Sequence, residues 1–213
     1  MDESGGLRAR KKERTRQAIS DAAISMFLAD GFDQVSTADI AAAAEVSKPT
    51  LFRYFPTKED LVLHRFADHQ GEAARVVRGR NPGESPLTAL HRNFQAGLDR
   101  RDPVTGLCDH PHVLAFHRLV FETPSLASRL ADFGATDTAA LADALREATT
   151  PRSDDMRPRL LAAQIVAVRQ TLAQENWTRL AAGRSADDIH PQATTDLAAA
   201  FTLLTHGAAA HGY

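Results

Sequence analysis

A short polar run in the first third of the chain carries side chains suited to binding a nucleic acid. Lys48 and Arg53 can donate hydrogen bonds to guanine O6 and N7 or to phosphate oxygens. Thr50 can offer a hydroxyl to a base edge and a methyl group to thymine, and Pro49 adds a rigid apolar surface. These residue types predict a surface that reads base edges, provided that one short helix holds them together.

Two short capped helices are predicted around this run. Ser36, followed three residues later by Asp39, is a capping-box pattern and opens one helix. Ser47 is the expected N-cap of the next, with Pro49 in its first turn, and the helix ends near Phe55 because the residue before a proline avoids the helical conformation. Such a pair, braced by a longer preceding helix, is the helix-turn-helix plan. Small helical bundles of other kinds also contain capped short helices, so the pattern leaves both interpretations open.

The remainder of the chain also predicts helices. Ala, Leu, Arg, Asp and Glu dominate and no strand-like alternation persists, so we expect an all-α fold of about nine helices. The expected helices run over about 7–30, from 36, and over about 47–55, 57–79, 86–101, 112–122, 124–149, 155–182 and 191–209, with an interruption possible near Gly134.

Charge and composition narrow the class of protein. The formal net charge is −2, yet six basic residues lie between 8 and 16 and only Glu13 opposes them. A basic arm on a neutral body suits a protein that touches phosphate with one end, although a solvated start of a helix is the alternative. The chain has a single cysteine, so we expect no intrachain disulfide. It has no long apolar run and no apolar signal core after the N-terminus, so we expect a cytoplasmic protein with no membrane span.

The residues themselves decide between the two interpretations of the capped helices. The run from Ser36 to Leu61, STADIAAAAEVSKPTLFRYFPTKEDL, resembles the DNA-binding domain of the TetR family of transcriptional regulators. The upstream segment from Ala22 to Phe32 resembles the first helix of that family. The similarity is specific over about residues 10–62 and predicts a sequence-specific regulator rather than an enzyme.

The resemblance implies a set of DNA contacts. Base contacts are expected from Lys48, Pro49 and Thr50, and phosphate contacts from Thr37, Ser47, Arg53, Tyr54 and Lys58. Two residues depart from the family pattern. Glu45 occupies a turn position where glycine is common, so the turn either avoids a positive φ or tolerates modest strain. Phe52 stands where many members have tyrosine, so one hydroxyl contact to the DNA backbone is missing.

The resemblance also implies the division of the chain. Residues 1–56 are expected to form the DNA-binding domain with its basic arm, and residues 57–213 a helical domain for ligand binding and dimerisation. Apolar stripes on the last two helices suit either an internal core or an intersubunit four-helix bundle. The predicted dimer residues are Leu161, Ile165, Val168, Leu172, Leu197, Phe201 and Leu204.

A homodimer would place two recognition helices about 34 Å apart on a palindromic operator. A small-molecule effector is then expected to release this repressor, with the fourth helix as the lever between the two sites. The predicted effector pocket contains His91, Phe94, Leu98, Phe116, Val120, Gln170, Gln174 and Trp177, each of which suits plain core packing as well.

One further cluster has metal-binding residue types. Cys108, His110, His112 and His117 lie close in sequence, but their spacing matches no recognised zinc site and a proline interrupts them. We therefore predict no metal and no cofactor. No phosphate loop, nucleophile elbow or paired-acid signature supports an enzyme. A helical protein-interaction module with a solvated basic face is the other alternative.

Overall fold

The structure is a computed structural model that describes residues 3–67, 69–149 and 155–207. Across those ranges it is helical and contains no strand, which confirms the predicted all-α class. The α-helices are α1 (Glu3–Asp30), α2 (Thr37–Ala43), α3 (Lys48–Tyr54), α4 (Asp60–Ala67), α5 (Glu72–Arg78), α6 (Pro86–Asp99), α7 (Pro111–Glu122), α8 (Pro124–Ala148), α9 (Arg157–Ala181) and α10 (Ala186–His206). A 3₁₀ turn covers Pro103–Thr105.

The chain divides into two compact units. Unit 1 comprises Met1–Asp68 and Ala115–Ala131, and unit 2 comprises His69–Leu114 and Asp132–Tyr213. Helices α7 and α8 therefore contribute residues to both units. The boundary predicted between 56 and 57 falls inside unit 1, which also contains α4 and the segment 115–131.

The core of unit 1 is built by α1 to α4. α1 packs against α2 and α4, and α2 packs against α3. Side chains from each element are almost completely buried, among them Phe27, Ile40, Leu51 and Phe55. Burial of each such side chain stabilises the fold by roughly 1.5–3 kcal/mol. Val46, in the turn between α2 and α3, is only half-buried.

The core of unit 2 lies where α10 packs against α6 and α9. It is a single apolar cluster that includes Leu98 of α6, Ile165 of α9 and Phe201 of α10. The 3₁₀ turn is tied to α9, because the buried Asn176 Nδ2 donates to the carbonyl of Thr105 at 3.0 Å.

The predicted fourth helix, 57–79, is wrong as a single helix. α4 ends at Ala67 and α5 begins at Glu72, with Gly71 as the N-cap of α5 at φ +70°. The N–H of Gly71 donates to Asp137 Oδ1 at 2.8 Å rather than to a helical carbonyl. Glycine adopts this left-handed conformation without steric penalty, so the chain turns here although the side-chain pattern is helical on both sides.

The predicted start of the last helix at Pro191 is also wrong. α10 begins at Ala186, and its N-cap Ser185 accepts a hydrogen bond from the N–H of Asp188 at 3.1 Å. Pro191 lies inside the helix, where it removes one helical donor without ending the helix. The predicted end at 209 lies outside the described residues. In contrast, α8 runs through Gly134 without interruption.

None of the helices in the described ranges combines the length and the apolar character that a transmembrane span requires.

Candidate nucleic-acid interface

The first helix of the predicted pair, α2, begins with a complete capping box. Ser36 Oγ accepts a hydrogen bond from the N–H of Asp39 at 3.2 Å, and Asp39 Oδ2 accepts one from the N–H of Ser36 at 3.2 Å. The hydrogen bonds from Ser36 lower the pKa of the Asp39 carboxyl below its usual range. The cap fixes where α2 begins, and Thr37, a predicted phosphate contact, is its first residue and is half-buried.

The turn between α2 and α3 closes through two backbone hydrogen bonds. The N–H of Val46 donates to Ala41 O at 2.9 Å, and that of Glu45 donates to Ala42 O at 3.1 Å. This is the Schellman pattern, which requires a left-handed residue at its fifth position. Glu45 occupies that position with φ +53°. Of the two alternatives for Glu45, the turn therefore adopts the positive φ and tolerates the strain.

The start of α3 uses two of the predicted contact residues for its own capping. Ser47 Oγ accepts from the N–H of Thr50 at 3.3 Å and donates to Thr50 Oγ1 at 2.9 Å. These bonds hold the first turn of α3 in place, with Lys48 and Pro49 exposed beside them. The predicted N-cap role of Ser47 is confirmed.

The cations of α3 take part in no ion pair within the described ranges. Lys48 and Arg53 are exposed, and neither forms an ion pair with any residue that the structure describes. The guanidinium of Arg53 lies 5.7 Å from the ring centre of the half-buried Tyr54. Phe52 is 38% exposed in the same helix. α3 thus presents two unneutralised cations and an exposed aromatic ring to an outside partner.

Lys58 differs from the other predicted contacts because the domain itself holds its ammonium group. Lys58 Nζ donates to the carbonyl of Phe32 at 2.5 Å and lies 5.4 Å and 4.5 Å from the ring centres of Phe27 and Phe32. Its side chain is half-buried. Phosphate binding by Lys58 stays a prediction. A bound phosphate would compete with the carbonyl of Phe32 and the two aromatic rings for the same ammonium group.

The predicted basic arm forms the first turns of α1, which begins at Glu3. Lys11, Lys12 and Arg14 are exposed, while the side chain of Arg8 lies outside the described residues. Arg16 is the last residue of this arm, and its guanidinium lies 5.6 Å from the ring centre of Phe55, a contact that the sequence analysis did not predict. The four-residue spacing between Arg16 and Ser20, which places both on one face of α1, is the signal that could have indicated this contact.

The predicted effector residues do not form one group in the structure. Phe116 and Val120 belong to unit 1, where the ring of Phe116 stacks on Phe66 at 5.8 Å. The other six belong to unit 2, in which Phe94 and Leu98 are core residues. In unit 2, His91 and Trp177 are half-buried, and Gln170 and Gln174 are exposed.

Unit 2 contains a pocket of about 410 Å³ that sequence reasoning did not find. Its wall is mostly apolar, and an ion pair between Asp155 and Arg157, at 2.7 Å, stands at its edge. No predicted effector residue lines it. The lining residues are Ser85, Pro86, Leu87, Leu145, Thr149, Asp155, Arg157, Pro158 and Leu161.

Three residues of the predicted dimer stripes lie in the core of their own unit. Ile165, Leu197 and Phe201 are buried there and have no area left to bury against a second copy. The remaining predicted residues are half-buried: Leu161, Val168, Leu172 and Leu204. Of the two alternatives for these stripes, an internal core or an intersubunit bundle, the three buried residues therefore fit the internal core. The opposite face of α9 and α10 exposes Leu160 and Leu203, which are 55% and 42% exposed.

The cysteine–histidine segment does not assemble a metal site. The rings of His110 and His112 stack at 5.6 Å, and Asp109 Oδ2 accepts a hydrogen bond from the N–H of Ala186 at 2.8 Å. His117 lies within α7 with its ring stacked on Phe121 at 4.1 Å. In the part of the chain that the structure describes, no three histidine, cysteine or acidic side chains converge as metal ligands would.

Two capped helices joined by a tight turn, with unneutralised cations on the second, define a helix-turn-helix DNA-binding protein. Comparison with known proteins gives the same class. Residues 19–64 match the family described as bacterial regulatory proteins, TetR family. The transcriptional regulator TcmR of Streptomyces glaucescens is 34% identical over 177 residues, which cover 82% of this chain and 78% of that protein. The chain therefore belongs to the TetR family of transcriptional regulators, which are DNA-binding proteins and not enzymes.

Solved structures support the same fold over most of the chain. NalD of Pseudomonas aeruginosa, the secondary repressor of the MexAB-OprM multidrug efflux pump, superposes with a TM-score of 0.59 at 19% identity and covers 89% of this chain and 96% of its own. The TetR-family repressor FadR of Thermus thermophilus, solved with lauroyl-CoA, gives a TM-score of 0.51 at 23% identity and covers 91% and 94%.

Proposed function

We propose that this regulator is a cytoplasmic homodimeric repressor that binds a palindromic operator and leaves it when a small-molecule effector binds. DNA binding by this protein is supported by the first turn of α3, where Ser47 caps the helix and Lys48 and Pro49 are exposed. Such a turn fits the major groove with its N-terminal residues against base edges.

We assign different roles to the residues of this interface. Lys48, Pro49 and Thr50 read bases, because they lie in the first turn of the recognition helix. Arg53 and Tyr54 contact phosphates from the end of that helix, and their contribution does not depend on sequence. Thr37 and Ser47 add phosphate contacts through the N–H groups at the starts of α2 and α3, and Lys58 adds a charge.

The proposed dimer uses the outward face of α9 and α10, through a second copy of the same chain. Leu160, Ala163 and Ala167 are exposed on α9, and Ala199 and Leu203 are exposed on α10. Small and apolar side chains at these positions let two helix pairs approach closely as a four-helix bundle. This surface replaces Ile165, Leu197 and Phe201, the three predicted dimer residues that are buried in the core.

The proposed effector is a small, largely apolar molecule that binds within unit 2. Supporting this, the similar repressor FadR was solved with lauroyl-CoA, and unit 2 holds the apolar-walled pocket and six of the predicted effector residues. Arg169 is a candidate polar partner: its guanidinium lies 5.8 Å from the ring centre of Phe94, and burial lowers its pKa.

Coupling between effector and operator then runs through helices that belong to both units. α4 ends at Ala67 and cannot be the single long lever expected from the sequence. α7 and α8 each contribute residues to both units, so a displacement of either helix in unit 2 is passed along a continuous helix into unit 1. An effector releases the operator only by its different affinity for the two conformations.

The operator geometry tests the dimer and palindrome together. Duplexes bound by the purified protein are selected from a random library, and the selected site is footprinted with hydroxyl radicals. Two inverted half-sites centred about 34 Å apart, roughly one helical turn, are expected. A single unrepeated half-site, protected by one copy of the chain, would contradict the proposal.

Release of the operator by an effector is tested with small molecules. Apolar small molecules are screened for thermal stabilisation of the protein, and the compounds that stabilise it are titrated into the operator complex. At least one is expected to lower operator affinity by about 5–150-fold, the usual range of coupling between two sites. Stabilising compounds that bind unit 2 and leave operator affinity unchanged would exclude effector release by those compounds and count against the coupling.

A further inference from the structure

One face of α1 contacts both the core of unit 1 and the end of the recognition helix, α3. Lys12, Arg16 and Ser20 are spaced four residues apart and share this face. Ser20 is completely buried, donates to the carbonyl of Leu61 at 2.8 Å and lies 3.0 Å from His64 Nδ1. This face of α1 is therefore the one turned toward α4, and Arg16 lies one turn before that contact.

Arg16 is held against the residue that ends α3. Phe55, the C-cap of α3, is almost completely buried, and the ring of His64 packs edge-on against it at 5.3 Å. The guanidinium of Arg16 also contacts this ring and lies 5.6 Å from its centre. A cation over an aromatic face is attracted to it, so the ring fixes the side chain beside the C-terminal end of the recognition helix.

The charge on Arg16 has no counterion among the residues that the structure describes. Its Nε is buried there without a hydrogen-bond partner, and no carboxylate forms an ion pair with its guanidinium. Lys12, one turn earlier on the same face, is exposed and likewise forms no ion pair within the described ranges. Leaving the Nε–H without an acceptor is costly, and the positive charge of the guanidinium remains available to an anion from outside the chain.

We propose that Arg16 binds a backbone phosphate of the operator at the end of the DNA segment that α3 reads, with Lys12 extending this contact along α1. The planar guanidinium can donate two parallel hydrogen bonds to one phosphate, and the Phe55 ring orders it before DNA binds. The contact is independent of sequence and adds affinity rather than selectivity. The inference rests on the proposed operator binding.

The salt dependence of operator binding tests this contact. Affinity for the selected operator is measured for the wild type and Arg16→Gln between 50 and 200 mM salt, roughly the range over which phosphate contacts are resolved. Arg16→Gln is expected to reduce the slope of log affinity against log salt by about 0.9 for each bound copy of the chain. The ratio of operator to scrambled-DNA affinity is expected to stay at the wild-type value.

Two variants serve as controls. Arg65→Gln makes the same charge change in unit 1, but Arg65 is already paired with Asp21 at 2.5 Å, so the wild-type slope is expected. Arg16→Lys keeps the charge and is expected to recover most of the slope that Arg16→Gln loses, which a purely packing role would not produce. Melting curves of each variant establish that it is folded at the temperature of the titration.

The outcomes separate this inference from the proposed function. An unchanged slope in folded Arg16→Gln, or an equal reduction in Arg65→Gln, overturns the Arg16 contact while operator binding stands. Wild-type protein that selects no operator overturns the proposed function and the inference with it.

Discussion

Glu45 holds the turn before the recognition helix in a conformation that suits glycine. At φ +53° its Cβ crowds the following carbonyl, which costs roughly 1–2 kcal/mol for an L-residue. Its exposed carboxylate also lies two residues before the N-cap of α3, close to where operator phosphates are proposed to bind. One residue therefore weakens the fold and repels the proposed ligand.

Replacing Glu45 separates these two effects. Glu45→Gly is expected to raise the free energy of unfolding by about 0.5–1 kcal/mol, because glycine accepts this φ but loses more chain entropy on folding. Glu45→Gln keeps the strain and removes the charge, so its stability is expected to stay at the wild-type value. Both are expected to bind the operator more tightly at low salt. Equal stability of the Gly and Gln variants in urea unfolding would contradict the account of the turn.

At the scale of elements, the 3₁₀ turn of unit 2 packs unusually close to α9. Gly106 ends that turn at φ +72°, and a Cβ placed on it would lie 1.9 Å from the carbonyl oxygen of Ala173. Gly83 has a similar φ of +79° but nothing within 4 Å of an added Cβ. Both glycines therefore need a positive φ, but only Gly106 also lies so close to another helix that a Cβ would not fit.

This pair predicts a measurable difference in stability. Gly83→Ala is expected to cost about 1 kcal/mol through its backbone conformation alone. Gly106→Ala is expected to cost a further ~1–3 kcal/mol, because the turn must move away from α9 to admit the methyl group. Urea unfolding of both variants measures the difference directly. Equal losses would show that the turn and α9 separate without cost.

In α7, His117 links the stability of unit 1 to pH. Burial lowers the pKa of His117 from its usual 6.5 to about 4. Because the pKa is lower in the folded chain than in the unfolded one, the fold favours neutral His117. Its contribution is complete above about pH 6.5 and is lost as the pH falls toward 4.

His117→Phe removes this titration and keeps a ring to stack on Phe121. Its melting temperature is expected to fall less between pH 7 and pH 4.5 than that of the wild type, over the interval set by the two pKa values of His117. Every other ionisable group is common to the two proteins, so the difference between the two curves isolates His117. Parallel curves would show that His117 does not sense pH.

The elements that the sequence predicted well are those whose signals are local. Ser36 with Asp39 and Ser47 with Thr50 lie within one turn of the helices they cap, and both caps form as predicted. The break before Glu72 combines Gly71 with a hydrogen bond to Asp137, which lies far along the chain, and an isolated glycine by itself does not predict that a helix ends. The stripe containing Ile165 was ambiguous for another reason: an apolar stripe looks the same whether it covers an internal core or a second copy.

For the whole molecule, assembly depends on the outward face of α9 and α10. Ala167→Arg places a long cation in the middle of this proposed surface, and Ala139→Arg makes the same change at an exposed position of α8. Ala167→Arg is expected to be monomeric in analytical ultracentrifugation and to lose operator affinity, since one recognition helix then binds without the other. Ala139→Arg is expected to stay dimeric. A dimeric Ala167→Arg would place the interface elsewhere.

The first turn of α3 is proposed to read DNA sequence. This role is tested most directly by anisotropy titrations of the selected operator and a scrambled duplex, for the wild type, Lys48→Ala and Arg53→Ala at matched salt. The wild type is expected to prefer the operator by roughly 10³-fold or more. Lys48→Ala should lower that preference by an amount equivalent to about 1–3 kcal/mol, whereas Arg53→Ala should weaken both duplexes alike. A wild-type preference that Lys48→Ala leaves unchanged would contradict the assignment of α3 as the recognition helix.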